Sequence, residues 1–227
     1  MTFPFPILLS QGKIPLFDGE GNYLNVQRFD SGLAQATRSF TTPLGTASAT
    51  RTIIVVFSGL FSGNSGTFPT FSSATIAGVT AHAAMVGGAI SGNNRHGTVF
   101  FSARVPTGTS GTFTVTSNIP VIGFYTVWAI DGLDSHIPIE HKNITGSVGS
   151  QTVTVTVPAN GVVLVGSFAN SGTTPTLSNC YVGYKIGVSD SNNGNRNCSF
   201  GAQQFPASGN QSFTASAATT ISAAVWR

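Results

Sequence analysis

The segment Gly97–Asp134 most constrains the fold, because it contains three β-type runs separated by two turn signals. Its middle run alternates three threonines with Phe113 and Val115, which is the two-residue period of a strand with one buried face. The third run, Val121–Ile130, is apolar almost throughout and contains Trp128, as expected for a central strand. The segment predicts β-structure and contains no recognisable reaction motif.

The same strand rhythm continues along the rest of the chain. Arg51–Phe57 is rich in β-branched residues, Gln151–Val157 alternates strictly, and Gly161–Phe168 is almost wholly apolar. We count about a dozen strands with turn signals every 8–12 residues or somewhat more, and no trustworthy helical period. We find no repeat with a fixed period. The sequence therefore predicts an all-β, antiparallel β-sandwich that is jelly-roll-like.

The first 38 residues differ from the remainder. Pro4, Pro6 and Pro15 favour an extended backbone, and most of the large early apolar residues lie in the first ten positions. We predict an extended N-terminal arm over residues 1–38 that docks on a neighbour, followed by one sandwich domain over residues 39–227. The alternatives are a first strand within the chain's own sandwich, and two small sandwiches divided near Asp134–Ser150.

Charge is scarce in this chain. Charged residues make up 7 % of its 227 residues, against about 25 % in typical soluble proteins. A surface of hydroxyls and amides is easily desolvated, so it suits contacts with other subunits; the alternative is a plain extracellular domain with a neutral surface. The net charge is +3 and no run of basic residues exists, which argues against nucleic acid as the main partner.

Targeting signals are also absent from the sequence. The N-terminus lacks a basic region before its apolar residues, and no stretch of 18 or more apolar residues occurs, so we expect no signal peptide and no membrane insertion. We predict synthesis in a cytoplasm and release as part of an assembly. A mature form whose signal has been removed is the competing explanation, against which Met1 speaks.

Ionisable residues concentrate at one place, which contains Asp131, Asp134, His136, Glu140 and His141. Such a mixture could ligate a divalent metal or supply a general acid and base. Its spacing matches no metal motif, and Pro138 indicates an irregular loop, so a solvated connection is the preferred interpretation.

Other candidate sites are weaker still. The loop Asp190–Asn197 has a single carboxylate, so a hairpin tip explains it better than a calcium site. His82 and His96 lie in or beside strands, as packed or turn histidines do. Cys180 and Cys198 are too far apart in the expected hairpin register to bridge, so we predict free thiols.

No nucleophile elbow, phosphate-binding glycine loop or zinc-protease motif is present. We predict no catalytic, cofactor-binding or metal-ligating residue and no cofactor. Periodicity places most aromatic residues inward. The exceptions flank a glycine-rich loop, and we predict that they bind a partner together with the apolar residues of the arm; the candidates are Phe3, Phe5, Ile7, Leu8, Phe61, Phe68 and Phe71.

Five segments carry a resemblance to a known class of proteins. They are Ser39–Pro43, Arg51–Gly59, Ala74–Thr80, Val105–Val115 and Val127–Leu133. Their succession resembles β-sandwich proteins encoded by tailed bacteriophages and prophages, and it covers residues 39–134. The resemblance implies a virion structural protein, often oligomeric, with no catalytic residues.

From this resemblance we expect a non-enzymatic protein on the virion surface. Its most concrete form is a capsid decoration or cement protein that binds the major capsid protein, other virion proteins or sister copies through the arm and the neutral sandwich faces. The alternative is a tail or fibre module that binds a receptor or a host-surface glycan. An enzyme that degrades polysaccharides comes third, with Asp131, Asp134 and Glu140 as its only candidate carboxylates.

Overall fold

The computed structural model describes residues 23–29, 35–62, 70–86, 90–91, 94–190 and 194–227. Within these ranges there are strands and loops but no helix, and hence no helix able to cross a membrane. The strands are β1 Tyr23–Phe29, β2 Gln35–Pro43, β3 Thr52–Ser62, β4 Phe71–Ile76, β5 Val79–Thr80, β6 His82–Val86, β7 Ile90–Ser91, β8 Asn94–Arg104, β9 Ser110–Ile130, β10 Glu140–Val157, β11 Gly161–Ala169, β12 Thr176–Ser178, β13 Tyr181–Asp190, β14 Gly194–Phe205 and β15 Gly209–Trp226.

The strands form two sheets, each built from a continuous part of the chain. The first has the order β5-β4-β9-β3-β8-β6, with β1 and β2 also paired to β9 and β7 to β8. The second has the order β10-β15-β11-β14-β13, with β12 also paired to β15. The described pairings are antiparallel, so the prediction of an all-β antiparallel sandwich is confirmed, whereas its jelly-roll-like path stays a prediction.

The two sheets pack face to face around an inter-sheet core. Alternate side chains of β3 and β11 point into it, and the two tryptophans, Trp128 and Trp226, are fully buried there. Trp226, which pairs with Val162 at the start of β11, lies 6.1 Å from Phe100 between ring centroids. Phe168, near the end of β11, lies 4.8 Å from His96, which precedes Phe100 on β8. Because these contacts run in the same order on both sheets, the strands of the two sheets are roughly aligned.

The first sheet also folds back over its own outer face. Phe113 and Tyr125 both belong to β9 and would lie about 40 Å apart in a straight strand. Their ring centroids are 5.6 Å apart, so β9 turns back between them. Its first part carries β2 and β4 over the outward side of β3 and β8, and together they enclose a first outer core around Phe101 and Phe113.

The second sheet folds in the same way. The first part of β15 pairs with the second part of β10, and its last part pairs with the start of β10 and with β11. Phe213 and Val225, from opposite ends of β15, belong to one buried cluster, the second outer core. The molecule therefore has four layers of strands around three apolar cores.

The two sheets repeat one topology. In the first sheet, β2, β3 and β4 pair with β9, and β3 and β6 pair with β8. In the second sheet, β10, β11 and β12 pair with β15 in the same way, and β11 and β13 pair with β14. Trp128 faces Ile54 in the first half, and Trp226 faces Val162 at the same place in the second. We call residues 23–130 the first half and residues 140–226 the second half.

Sequence traces of this repeat lie in the last hairpin of each half. Pro106 and Pro206, like Phe113 and Phe213, are 100 residues apart, whereas the two tryptophans are 98 apart. No fixed period is visible in the sequence because the spacing between corresponding strands differs between the halves.

The predicted division at residues 38 and 39 falls inside β2. Residues 23–29 and 35–38 are strands of the first sheet rather than part of a separate arm, because apolar and β-branched residues there pair with β9. Residues 1–22 lie outside the described residues, so an arm of that length stays a prediction. The change from the first sheet to the second falls at residues 131–139, near the alternative division that the sequence left open.

Candidate interaction surfaces

The loop that collects ionisable residues is held by a polar network. Asp131 accepts hydrogen bonds from the Ser48 hydroxyl at 2.8 Å, from the Thr50 hydroxyl and from the Gly132 N–H at 3.0 Å. Every one of these donors lies in a loop next to β3 or β9. Asp131 therefore joins two loops at one end of the first half, as structural carboxylates do.

Arg51 fixes the same end from inside. Its buried guanidinium donates to the carbonyl oxygens of Gly45, Val105, Thr107 and Gly108 at 2.7–3.0 Å. Burial lowers the pKa of Arg51, and the negative charge of Asp131 opposes that shift. The guanidinium thus satisfies loop carbonyls that would otherwise be left without donors.

The other acids of this region are paired as well. Asp134 forms an ion pair with Arg227 at 3.5 Å. Glu140 contacts Lys142 at 2.5 Å and accepts the Thr156 N–H at 2.8 Å. Burial opposes ionisation of Glu140, but these hydrogen bonds outweigh it and lower its pKa. The carboxylates are thus engaged separately rather than facing one another across a cleft.

His136 of the loop and His141 near the start of β10 are close enough to affect His82 of β6 electrostatically. The pKa of His82 is lowered by burial and, to a smaller extent, by the neighbouring His136 and His141. In the part of the chain that the structure describes, no group of three or more histidine, cysteine or acidic side chains is arranged to hold a metal ion.

Both cysteines are free thiols, as predicted. The hairpin register differs from the expected one: Cys198 faces Ile186, and Cys180 precedes β13. Burial raises the pKa of the Cys180 thiol to about 12, so it is a thiol rather than a thiolate at neutral pH.

The predicted partner-binding residues fall in three situations. Phe3, Phe5, Ile7, Leu8 and Phe68 lie outside the described residues. Phe61 occupies β3, where its backbone pairs with Arg95 and Val121. Phe71 is half-buried and contacts Phe101 edge to face, with ring centroids 5.2 Å apart. Phe71 thus already has a partner within the first outer core.

The outermost layer of the first half presents an array of hydroxyls. Because Phe113 and Val115 point inward, the alternate residues of β9 and its neighbours point outward. Three cross-strand pairs are in hydrogen-bond contact, such as Ser39 with Thr114 at 2.9 Å. We call this array the first hydroxyl face; it consists of Thr37, Ser39, Thr41, Ser73, Thr75, Thr112, Thr114 and Thr116.

The second half carries an equivalent array on the opposite side of the molecule. Thr152 contacts Thr214 at 2.8 Å, and Thr154 contacts Ser212 at 2.8 Å. Lys185 reaches its border, where Nζ donates to Thr176 at 2.7 Å. This second hydroxyl face consists of Thr152, Thr154, Thr156, Thr176, Ser178, Asn210, Ser212, Thr214 and Ser216.

Neither hydroxyl face contains a charged member. Neighbouring groups are spaced by about 4.8 Å across strands and about 7 Å along them, as on any regular sheet. A partner can cover the first face without stripping water from an ion, whereas Lys185 lies at the border of the second face. The alternating threonines of β9 and β10 were visible in the sequence; that they form two equivalent faces was not, because the repeat was not recognised.

A third surface lies along β10. Five large apolar side chains are exposed among the side chains that the structure describes, and four of them lie between residues 137 and 148. They are Ile137, Ile139, Ile144 and Val148, with exposed fractions of 41–58 %. Exposed apolar residues beside a sheet edge mark a site where another chain can bind.

Comparisons with known proteins leave the family open. No family model matches the chain, and no curated protein matches it. Among solved structures, the chain is similar to dimeric latent PorU from Porphyromonas gingivalis, with 13 % sequence identity and a TM-score of 0.35. The match covers 92 % of this chain and 22 % of the PorU chain, and at this TM-score it carries no argument.

Proposed function

We propose that this chain is a non-enzymatic structural protein of a bacteriophage virion, most concretely a capsid decoration or cement protein. The observation that carries the proposal is the pair of charge-free hydroxyl faces on opposite sides of one rigidly packed sandwich. A protein with two equivalent faces can contact two neighbouring subunits at once, which is what a cement protein does.

The remaining features agree with a binding role rather than with catalysis. The candidate carboxylates Asp131, Asp134 and Glu140 are each engaged with hydroxyls, backbone or a cation. The partners in this proposal are the major capsid protein, other virion proteins and sister copies, on the surface of the virion. Contact between two sheet faces removes apolar surface from water, which contributes about 25 cal/mol per Å² before the entropy cost of association is subtracted, and the threonine methyl groups supply part of that area.

Co-sedimentation with purified capsids that lack this protein tests the proposal. Wild-type protein is expected to saturate the capsid at a fixed stoichiometry. The equivalent substitutions Thr114→Lys and Thr214→Lys each place a charge at the centre of one hydroxyl face. We expect each to weaken binding at least tenfold, because the buried ammonium would lack a partner.

Asn170→Lys is the matched control, since it adds the same charge at an exposed position away from both faces. It is expected to bind like wild type. Absence of capsid binding by the wild-type protein would contradict the decoration role.

The second candidate is a tail or fibre module that binds a host-surface glycan. Hydroxyl arrays can exchange hydrogen bonds with neutral saccharides, and two equivalent faces would give bivalent binding. Against it, the large aromatic side chains that the structure describes pack in the cores instead of forming an exposed stacking platform. Saturable binding to cell-wall polysaccharide, lost in both threonine variants, would favour this role over the first.

A further inference from the structure

The edge of the second sheet is open along β10. This strand pairs with β15 on one side, and within the described residues no strand pairs with its other side. From Ile144 to Gln151 the segment contains no charged residue, and most of it is exposed. Lys and Glu side chains that commonly protect an edge occur only at its start, as Glu140 and Lys142. The Gln151 side chain covers part of this edge, where its Nε2 donates to the Ser147 carbonyl at 2.9 Å, and an added strand would have to displace it. The edge otherwise offers backbone without a strand partner in the described residues, beside exposed apolar side chains.

The first nine residues of the chain have the pattern of a strand that can pair on one side only. In an extended backbone Phe3, Phe5 and Ile7 would share one face and direct their N–H groups the same way. Pro4 and Pro6 would alternate with them and have no N–H to donate on the other side. Such a segment can add to a sheet edge and at the same time prevent a further strand from adding.

The chemistry of the two partners matches. Residues 1–12 contain no charged side chain, and neither does the open part of β10. The side chains of Ile144 and Val148 are 41 and 49 % exposed. No residue in the described part of the chain covers them fully. Phe3, Phe5 and Ile7 supply apolar groups of suitable size for such a surface.

An arm of the same copy would have to cross the sandwich to reach β10, whereas an arm of a second copy can approach that edge from outside. In the first sheet β1 lies beside β9, at the edge opposite to β6. The β10 edge belongs to the side of the sandwich where β10 approaches β6. Residue 23 therefore starts on the edge of the sandwich far from β10. Two copies related by a two-fold axis can exchange their arms reciprocally and close as a dimer.

We propose that residues 1–9 of one copy add as an edge strand to β10 of a second copy, so that the chain forms an arm-exchanged dimer. This inference deepens the proposed function, since it rests on the arm and names a sister copy as what the arm binds. It concerns association of the purified protein alone and needs no capsid. Its failure can thus be told from failure of the capsid role.

Light scattering of purified variants tests the exchange. Wild-type protein is expected to have the mass of a dimer. Deletion of residues 2–9 removes the arm, and the double substitution Ile144→Lys with Val148→Lys blocks the edge; each variant alone is expected to be monomeric. The control Thr152→Lys with Thr154→Lys adds the same charge further along β10, on the second hydroxyl face, and should remain dimeric. Circular dichroism and thermal melting check that each variant is folded.

Mixing the two monomeric variants gives the decisive result. The arm-deleted protein has an intact edge, and the edge variant has an intact arm, so one of the two exchange contacts can form. We expect a heterodimer in the mixture, with a dissociation constant at least tenfold higher than that of the wild-type dimer. A wild-type monomer, an arm-deleted dimer, or no association in the mixture would each overturn the proposal.

Discussion

The two halves of this molecule share one topology but are secured at their ends in different ways. In the first half, a long loop before β3 is held by the guanidinium of Arg51 and the carboxylate of Asp131. In the second half, the tight turn Pro158–Gly161 does the same work, with Asn160 at a positive φ of 61° and a hydrogen bond from the Gly161 N–H to the Pro158 oxygen at 2.9 Å. The two halves therefore share their strand pairings, whereas the loops that connect equivalent strands are stabilised by different interactions.

The largest expected effect is the loss of stability when either tryptophan is replaced, and it tests whether Trp128 and Trp226 contribute equally to the inter-sheet core. Trp128→Ala and Trp226→Ala each remove a fully buried indole from the inter-sheet core, and each should lower the free energy of unfolding by about 3–5 kcal/mol. Each indole also donates one hydrogen bond, Trp128 to the Thr126 hydroxyl at 3.2 Å and Trp226 to the His136 carbonyl at 2.9 Å, so the two losses should be similar. Chemical denaturation measures both; a loss below about 1 kcal/mol for either would break the equivalence.

Arg51 tests the difference between the halves. Arg51→Met keeps the apolar stem but removes the donor from the buried Val105 carbonyl and from the part-buried Thr107 carbonyl, and should cost about 3 kcal/mol. At the corresponding place before β11, Asn160→Gly should change stability by less than about 0.5 kcal/mol, because glycine accepts a positive φ. If Arg51→Met and Asn160→Gly lowered the free energy of unfolding equally in urea, the proposed difference between the two loops would be wrong.

Gly166 tests how closely the halves approach. A Cβ atom there would lie 2.7 Å from Thr98 Cγ2 and 3.4 Å from Val56 Cγ1, both across the inter-sheet core. We expect Gly166→Val to lower the free energy of unfolding by about 2 kcal/mol through overpacking. Gly149→Ala is the control, since the nearest atom to its Cβ would be 3.8 Å away, and it should be nearly neutral in the same thermal melts.

The smallest expected effect is on the pH dependence of stability. It concerns His82 of the first half, which lies near His136 and His141. The folded-state pKa of His82 is lowered, so below about pH 6.5 the unfolded chain binds more protons than the folded one. Stability should therefore fall as the pH decreases from 7 to 5. His82→Gln should reduce that slope by removing one titrating group. Denaturation midpoints that depend equally on pH in both proteins would exclude His82 as a contributor.

Much of the fold could be predicted because its signals are local. The alternation of Thr112–Thr116 and of Gln151–Val157 needs only the two-residue period of a strand, and both segments are strands with inward apolar residues. The double-layered halves could not be predicted, since nothing in the spacing of Phe113 and Tyr125 tells that one strand turns back on itself. The repeat escaped notice because the traces at Pro106 and Trp128 recur at unequal spacings.

The candidate surfaces show the same division between local and distant information. The alternation in the sequence marked only the threonines of Thr112–Thr116 and Gln151–Val157 as residues opposite a buried face. The alignment of these threonines with the other members of the two arrays depends on cross-strand register. Phe71 was predicted to bind a partner, and the structure places its ring against Phe101. The apolar β10 edge was missed, because Ile144 and Val148 are separated by a bulge that interrupts the strand rhythm.

The separation of the two sheets along the chain has a consequence for biosynthesis. Every strand of the first sheet lies before residue 131, so that sheet can form while the second half is still being translated. Until residues 161–226 leave the ribosome, the faces of Ile54, Phe100 and Trp128 have no second sheet to cover them. Nascent chains are thus most exposed to aggregation at this intermediate length, and a chaperone or slow assembly partner would act on the half-made protein rather than on the completed one.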